Sequence, residues 1–356
     1  CNLRIILSGI TRYEFGIKKF LINQTNIFDQ RISKEFFKTS QDLEHSQCLP
    51  FMILGMGKLG GYELNYSSDV DLIFIHDNEP LTGDLELDYK LRIKSAKILI
   101  DVMTDLTEEG FLARVDMRLR PGGDRAPLVQ SIDEMEYYYS ASGELWERLA
   151  LIKAHPVAGT VKSGKDFMSM ISPFVYRSLL DETVIQDVEK VKKRIETEHL
   201  KESFLNVKLG VGGIREIEFF VQTFQLLYGG GKSELRNTST KEVLEELEKL
   251  ELIPKRDAYI LTKAYLFLRR VEHHLQLRDE QQTHTLPSEI ENQQQIARNL
   301  GYNELDIEKA RQQFVSDLKD MMGNVRAIFS GLFSSKHMEI EAAILNSSKI
   351  KNFSIE

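Results

Sequence analysis

The chain has only two cysteines, Cys1 and Cys48, in 356 residues. That is too few for a disulfide framework or a thiolate zinc site, and it suits a reducing compartment, so a cytoplasmic protein is expected. No run approaches the ~18 apolar residues that a membrane helix needs, so no membrane partner is expected. Positive charge is not in excess, since 46 Lys+Arg against 54 Asp+Glu leave a net charge of −8. Duplex binding relies on many Lys and Arg neutralising phosphates, which argues against nucleic acid as a partner. The basic-then-apolar-then-small pattern of a signal peptide is missing, and the first residue is Cys1 rather than Met, so the chain reads as cut from something longer. What is present, 42% hydrophobic and 28% charged residues, is the composition of a folded protein with a sizeable core. At roughly 150 residues per domain, the length suggests about two domains.

Residues 1–47 scatter Tyr13, Phe15, Phe20, Phe28, Phe36 and Phe37 among Lys, Asn and Gln, which suits a helical segment best. Residues 51–54 are a short apolar strand candidate that stops at a glycine-rich stretch, Gly55 to Gly61, and 70–75 is a second apolar run broken only by Asp71. Residues 88–106 place Leu91, Ile93, Ala96, Leu99, Ile100, Met103 and Leu106 near 3.6-residue spacing, predicting a helix. Further strands are expected over 111–119 and 127–129. From about residue 132 onward the pattern is almost wholly helical, with helices over 239–251, 256–278 and 305–332. After Gly212-Gly213, one stripe holds Ile214, Ile217, Phe220, Val221, Phe224 and Leu227 and closes at Gly229-Gly230-Gly231.

The sharpest chemical signal is Ser67-Ser68-Asp69-Val70-Asp71 at the head of the second apolar run. In a strand, residues i and i+2 share a face about 6.6 Å apart, so Asp69 and Asp71 are neighbours. Two ionised carboxylates this close repel unless a cation lies between them, and a hard divalent ion, Mg²⁺ or Mn²⁺, suits oxygen ligands. The plainer reading is a turn at the strand entry with two solvated acids. Over 114–120, Arg114, Asp116, Arg118 and Arg120 take one parity, and Val115, Met117 and Leu119 the other. A third carboxylate there would complete a two-metal site, and guanidinium forks suit phosphate oxygens; the alternative is an exposed outer face. Gly57, Gly60 and Gly61 would let backbone N–H groups approach a phosphate, with Lys58 adding charge. The spacing is neither a P-loop nor the dinucleotide fingerprint.

A glycine loop, then D-x-D on a strand, then an Asp on a later strand is the pattern of polymerase-beta-like nucleotidyltransferases. Four longer strings narrow it: Gly55-Met-Gly-Lys-Leu-Gly-Gly-Tyr-Glu-Leu-Asn-Tyr-Ser-Ser-Asp-Val-Asp71, Arg114-Val-Asp-Met-Arg-Leu-Arg-Pro121, Trp146-Glu-Arg148 and Gly212-Gly-Ile-Arg-Glu-Ile-Glu-Phe219. Across roughly residues 50–330 the chain resembles the glutamine synthetase adenylyltransferase/adenylyl-removing enzyme family, whose members carry two homologous nucleotidyltransferase halves. Asn65-Tyr-Ser-Ser-Asp69 and Gly213-Ile-Arg-Glu-Ile-Glu218 are similar to the N-terminal, adenylyl-removing half. Asp124-Arg125-Ala126 departs from the family, where an acid followed by small residues including Gly is expected, and this puts the geometry of that turn in doubt.

The resemblance implies an α+β fold. A small mixed-sheet nucleotidyltransferase domain over 48–135 would be fused to a helical bundle over 136–335, with a truncated helical segment over 1–47 and a tail or linker start over 336–356. It implies Asp69, Asp71 and Asp116 as catalytic metal ligands for two Mg²⁺ or Mn²⁺ ions, and Gly57, Lys58, Gly60, Gly61, Ser68, Arg114, Arg118, Arg120, Lys208 and Arg215 as candidates for phosphate and nucleotide. The expected activity is phosphorolysis of AMP from a glutamine synthetase tyrosine, with inorganic phosphate as co-substrate, ADP as product and a PII-type signalling protein as regulator. The alternatives are forward adenylyl transfer from ATP, and a non-catalytic module that binds glutamine synthetase or a signalling partner.

Other residues weigh more evenly. Gly212-Gly213 at a helix start, with Lys208 and Arg215, suits either an anion or a tight interhelical turn. Glu216 and Glu218 lie ~200° apart on a helix and cannot face one metal together. Trp146 is expected in the core, with Glu147, Arg148 and Lys153 as a solvated flank. His76-Asp77 and Glu272-His273-His274 lack metal-site spacing and are expected to be incidental or helix packing.

Overall fold

A computed structural model of the protein describes residues 51–65, 67–106, 111–159, 161–177, 182–199, 205–279 and 282–332; the segments expected over 1–47 and 336–356 lie outside the described residues. The two apolar runs form β1 (Met52–Gly55) and β2 (Val70–His76), antiparallel from Met52↔Ile75 to Gly55↔Leu72. Between them lies one helical turn, α1 (Gly57–Gly60). The amphipathic stretch forms α2 (Leu85–Thr104). It starts earlier than its hydrophobic spacing indicates because Asp84 caps it, accepting from the N–H groups of Glu86 at 2.9 Å and Leu87 at 3.2 Å. Leu99 and Met103 of α2 join Ile53, Leu72, Phe74 and Val129 in the core.

The third strand is shorter than its alternation predicts. β3 is Val115–Asp116, parallel to β2 with Val70↔Val115 and Asp71↔Asp116. Asp116 itself ends it: its carboxylate accepts the N–H of Arg118 at 2.8 Å, a local bond that turns the chain out of the ladder. β4 (Val129–Ser131) then returns to the same edge of β2, pairing at Phe74–His76. Ser131 and Glu134 form a capping box that starts α3 (Ile132–Ser142), and Glu144 and Glu147 form one that starts α4 (Leu145–Leu151).

β5 (His155–Ala158) lies in a stretch whose pattern reads as helical. It pairs antiparallel with β1, giving the sheet order β3-β2-β1-β5 with β4 also on β2. Four residues containing a proline leave too little periodicity to mark a strand. α5 (Val161–Val175) follows. The fold is α+β, a small mixed sheet with helices followed by a helical part, as the resemblance implies.

Packing divides the described chain into two units. The first holds the sheet, the helices up to residue 177, Gln225–Val243 and residues 279–282. The second is helical, with Asp181–Phe224, Leu244–Arg278 and the residues from 283 onward. Its helices include α6 (Glu182–His199), most of α7 (Ile214–Tyr228) and of α8 (Thr240–Lys249), α9 (Lys255–Asp279), α10 (Ile290–Leu300) and α11 (Ile307–Gly331). On α11 one stripe, Ala310, Phe314, Leu318, Met322, Val325 and Phe329, is buried. No helix among the described residues is long and apolar enough to cross a membrane.

Candidate active site

The register of β2 and β3 sets Asp71 directly beside Asp116, and partners in register share a face of the sheet. The flanking Val70 and Leu72 are buried, and Val115 and Met117, half-buried, pack against the same core cluster. At its centre the alternation read from the sequence therefore holds. Asp69 precedes β2 by one residue, with the parity of Asp71. The loop between β1 and β2 returns to the same place, since Met56 donates its N–H to the Asp71 carbonyl at 2.9 Å. A side chain at Gly57 would put its Cβ 2.6 Å from Asp71 Oδ2, and its φ of +51° also favours glycine.

Guanidinium groups lie on two of the three carboxylates. Arg114 Nε donates to Asp69 Oδ1 at 2.7 Å, and its Nη2 to the Ser67 carbonyl at 2.7 Å. Arg118 Nε donates to Asp116 at 2.9 Å, which holds that carboxyl below the usual carboxylate range against partial burial. With Asp69 and Asp116 turned to arginines, no three acidic, His or Cys side chains among the described residues close around one point. The donor set still suits a hard divalent cation, because all three groups offer only oxygen and two already hold a positive charge in its place.

The remaining sequence candidates separate. Arg118 is exposed beside Asp116, whereas Arg120 is buried, its Nη1 on the Met117 carbonyl at 2.5 Å and its Nη2 on Ala126 at 3.4 Å. It holds the turn that follows β3 rather than presenting a free fork. Ser68 is buried and its hydroxyl accepts the Asn65 N–H at 3.4 Å. Lys58 lies in α1, half-buried. Gly60 and Gly61 answer a packing need: a Cβ on Gly60 would fall 1.8 Å from the Lys153 carbonyl oxygen, and one on Gly61 3.0 Å from Lys153 Cδ.

Lys208 and Arg215 belong to the second unit, at the Gly212-Gly213 turn. The N–H groups an anion would need there are taken. Gly213 donates to Gly210, Ile214 to Val207, Arg215 to Lys208 and Glu216 to Gly213, all at 2.9–3.1 Å, while Gly212 donates to the Glu216 carboxylate. Gly212 has φ +75°, and its Cβ would lie 1.8 Å from the Met322 carbonyl. The geometry is that of a tight turn. Of the two glutamates, Glu216 is fully buried and meets Arg326 at 3.1 Å, and burial pushes its carboxyl up.

The expectation for Trp146 is inverted. Trp146 is 44% exposed, its Nε1 bonded to Glu144, while Glu147, Arg148 and Lys153 are buried. Glu147 goes inward because it closes the capping box of α4, with its carboxylate on the Glu144 N–H at 2.8 Å. Arg148 is held by the Val175 carbonyl at 3.0 Å. Glu272 and His273 are buried, and Glu272 pairs with Arg269 and His284, each at 3.0 Å, a packing role as expected. Sequence reading missed Glu63 and Thr240, which meet Lys153 inside the first unit. No short-range spacing signals a partner that far along the chain.

Residues 20–170 match the family described as glutamate-ammonia ligase adenylyltransferase, and residues 183–333 match GlnD PII-uridylyltransferase. Over 295 residues the chain is 42% identical to the bifunctional glutamine synthetase adenylyltransferase/adenylyl-removing enzyme of Nitrosococcus oceani, covering 81% of this chain and 30% of that protein. The chain is similar over most of its length to this adenylyltransferase/adenylyl-removing enzyme. Relatives of the same description from Methylococcus capsulatus, 42% identical over 283 residues, and Bartonella quintana, 40% over 293 residues, cover 78% and 80% of this chain. The chain spans 29% of the length of each of these two relatives. The family's nucleotidyltransferase character agrees with a glycine loop and two aspartate-bearing strands brought side by side.

Proposed function

We propose that this chain is the catalytic part of an adenylyl-removing enzyme, which takes AMP from the adenylylated tyrosine of glutamine synthetase by phosphorolysis. An oxygen of inorganic phosphate attacks the α-phosphorus, the bond to the tyrosine oxygen breaks, and ADP and tyrosine are the products. Phosphate is nucleophilic at neutral pH, and the departing phenolate, of pKa ~10, takes a proton from solvent, so no dedicated general base is required. The observation that carries the reading is the register placing Asp71 beside Asp116, with Asp69 on the same parity. The strings Asn65 to Asp69 and Gly213 to Glu218 favour removal over attachment. The match to a PII-uridylyltransferase family over residues 183–333 favours a PII-type signalling protein as regulator.

Asp69, Asp71 and Asp116 would hold Mg²⁺ or Mn²⁺, which when bound supplies charge stabilisation for the attacking and leaving oxygens. Arg114 and Arg118, released from Asp69 and Asp116, would then be within side-chain reach of phosphate oxygens. This gives a test that needs no turnover. Calorimetric Mg²⁺ titration of Arg114→Ala is expected to show severalfold tighter binding than wild type, because Asp69 no longer has to give up a guanidinium. Equal or weaker binding would take Asp69 out of the ligand set.

The reaction itself is tested by incubating the protein with adenylylated glutamine synthetase, Mg²⁺ and labelled phosphate. Label is expected in the β-position of ADP, in step with freed tyrosine, and no release without phosphate. Free AMP appearing at equal rate in phosphate-free buffer would mean hydrolysis. AMP attachment from ATP without any release would favour the forward reaction, which can use the same three carboxylates.

A further inference from the structure

We infer that Lys153 is the positioning residue for the loop between β1 and β2, acting through Glu63 and Thr240 without touching substrate. The inference rests on the proposed nucleotidyl-transfer reading for its effect on turnover, and on the geometry alone for its effect on the loop. Lys153 Nζ lies 2.6 Å from Glu63 Oε2 and donates to Thr240 Oγ1 at 2.8 Å, and the other Glu63 oxygen accepts the Thr240 N–H at 2.7 Å. The three groups close a ring of bonds, with the Lys153 and Glu63 side chains 9% and 10% exposed. A buried charge pair that meets further hydrogen bonds is costly to break from one side, because the partner is left charged and desolvated.

Lys153 meets the same loop again through its carbonyl and its methylenes, while its N–H bonds back to the Ala150 carbonyl at 3.2 Å. Its carbonyl lies where a Cβ on Gly60 would be, and its methylenes lie against Gly61. One residue therefore fixes positions 60, 61 and 63, immediately after the turn whose Gly57 lies on the Asp71 carboxylate. The loop then runs on to Asn65, Ser67, Ser68 and Asp69. Lys153 follows α4 and immediately precedes Ala154 and β5, so its own backbone is tied to the sheet through His155↔Gly55. The ring thus clamps the loop to the sheet that carries Asp71. Such precision matters chemically, because a displacement of about 1 Å at a reacting group can cost about 10²-fold in rate.

The test compares Lys153→Met with wild type by hydrogen exchange and by steady-state kinetics on adenylylated glutamine synthetase, well below the melting temperature. The N–H groups of Gly60, Gly61 and Glu63, bonded within the loop, are expected to exchange about tenfold faster, while the β1–β2 ladder stays as in wild type. The kcat is expected to fall about 10- to 100-fold with little change in the KM for phosphate. Thr240→Ser, which keeps the hydroxyl, should behave as wild type, and Thr240→Val should fall between. Lys90→Met, which breaks an exposed pair with Glu86, is the control and should change nothing. If Lys153→Met does not fold, Glu63→Gln keeps the shape and the bond to the Thr240 N–H, and the same pattern in milder form is expected. Unchanged loop exchange overturns the proposal, as does faster exchange with wild-type kcat or a rise in KM alone. If wild type neither releases nor attaches AMP, the reaction reading falls, and the loop amides of Lys153→Met still decide whether the clamp exists.

Discussion

Replacing Asp71 by asparagine is expected to lower AMP release by about 10²- to 10⁴-fold while the protein stays folded. Each 1.4 kcal/mol of lost transition-state stabilisation is about tenfold in rate, and a metal-held charge contributes several kcal/mol. Asp71 is the informative position because it is next to both other carboxylates, in register with Asp116 and two residues from Asp69. Asp69→Asn would also strand Arg114, which now rests on it, and so would mix two effects. Without metal, Asp71→Asn should melt at or slightly above the wild-type temperature, since one of three like charges is gone. The stabilisation that added Mg²⁺ confers on wild type should be lost in the variant. Thermal melts with and without Mg²⁺, run beside the activity assay, read both effects, and turnover close to wild type would remove Asp71 from the machinery.

The second large effect concerns folding rather than chemistry. Gly212→Ala is expected to destabilise the protein by roughly 3–5 kcal/mol, the range of severe single substitutions. Two penalties coincide there: φ is +75°, and the new Cβ would lie 1.8 Å from the Met322 carbonyl oxygen on α11. Gly301 offers the contrast. Its φ is +98°, yet nothing lies within 4 Å of where its Cβ would be, so Gly301→Ala should cost only ~1–2 kcal/mol, the left-handed strain alone. Urea melts of the two variants separate overlap from strain. If Gly212→Ala kept wild-type stability and instead weakened phosphate binding, the turn would be an anion site after all.

These glycines also show where the sequence was legible and where it was not. Apolar runs of four and six residues were enough to mark β1 and β2, and D-x-D was enough to mark a shared face, because both depend only on a period of two. The parity of 114–120 held at Val115, Asp116 and Met117, then failed at Arg120, because Asp116 bonds the Arg118 N–H and turns the chain. A glycine reads the same whether its missing side chain makes room for a ligand or for another backbone. Gly57 faces a carboxylate, Gly60 the Lys153 carbonyl and Gly212 the Met322 carbonyl, and only the packed structure separates the three. Trp146 misled for a related reason: its neighbours Glu147 and Arg148 found partners in a capping box and the Val175 carbonyl, so the charges went inside and the ring stayed out.

The position of β5 has a consequence for how the chain is made. β1 acquires one neighbour, β2, almost at once, but the neighbour on its other side is His155–Ala158, which follows β3, β4, α3 and α4 in the chain. Among the described residues, the Met52-Ile53-Leu54 edge, covered in the finished protein, therefore gains its second strand partner only after β2, β3 and β4 have emerged. An apolar edge with unpaired N–H and C=O groups is a template for pairing with other chains, and late-closing, non-local pairings are where partly folded proteins aggregate. A chain that ends ahead of His155 lacks the strand that pairs with this side of β1.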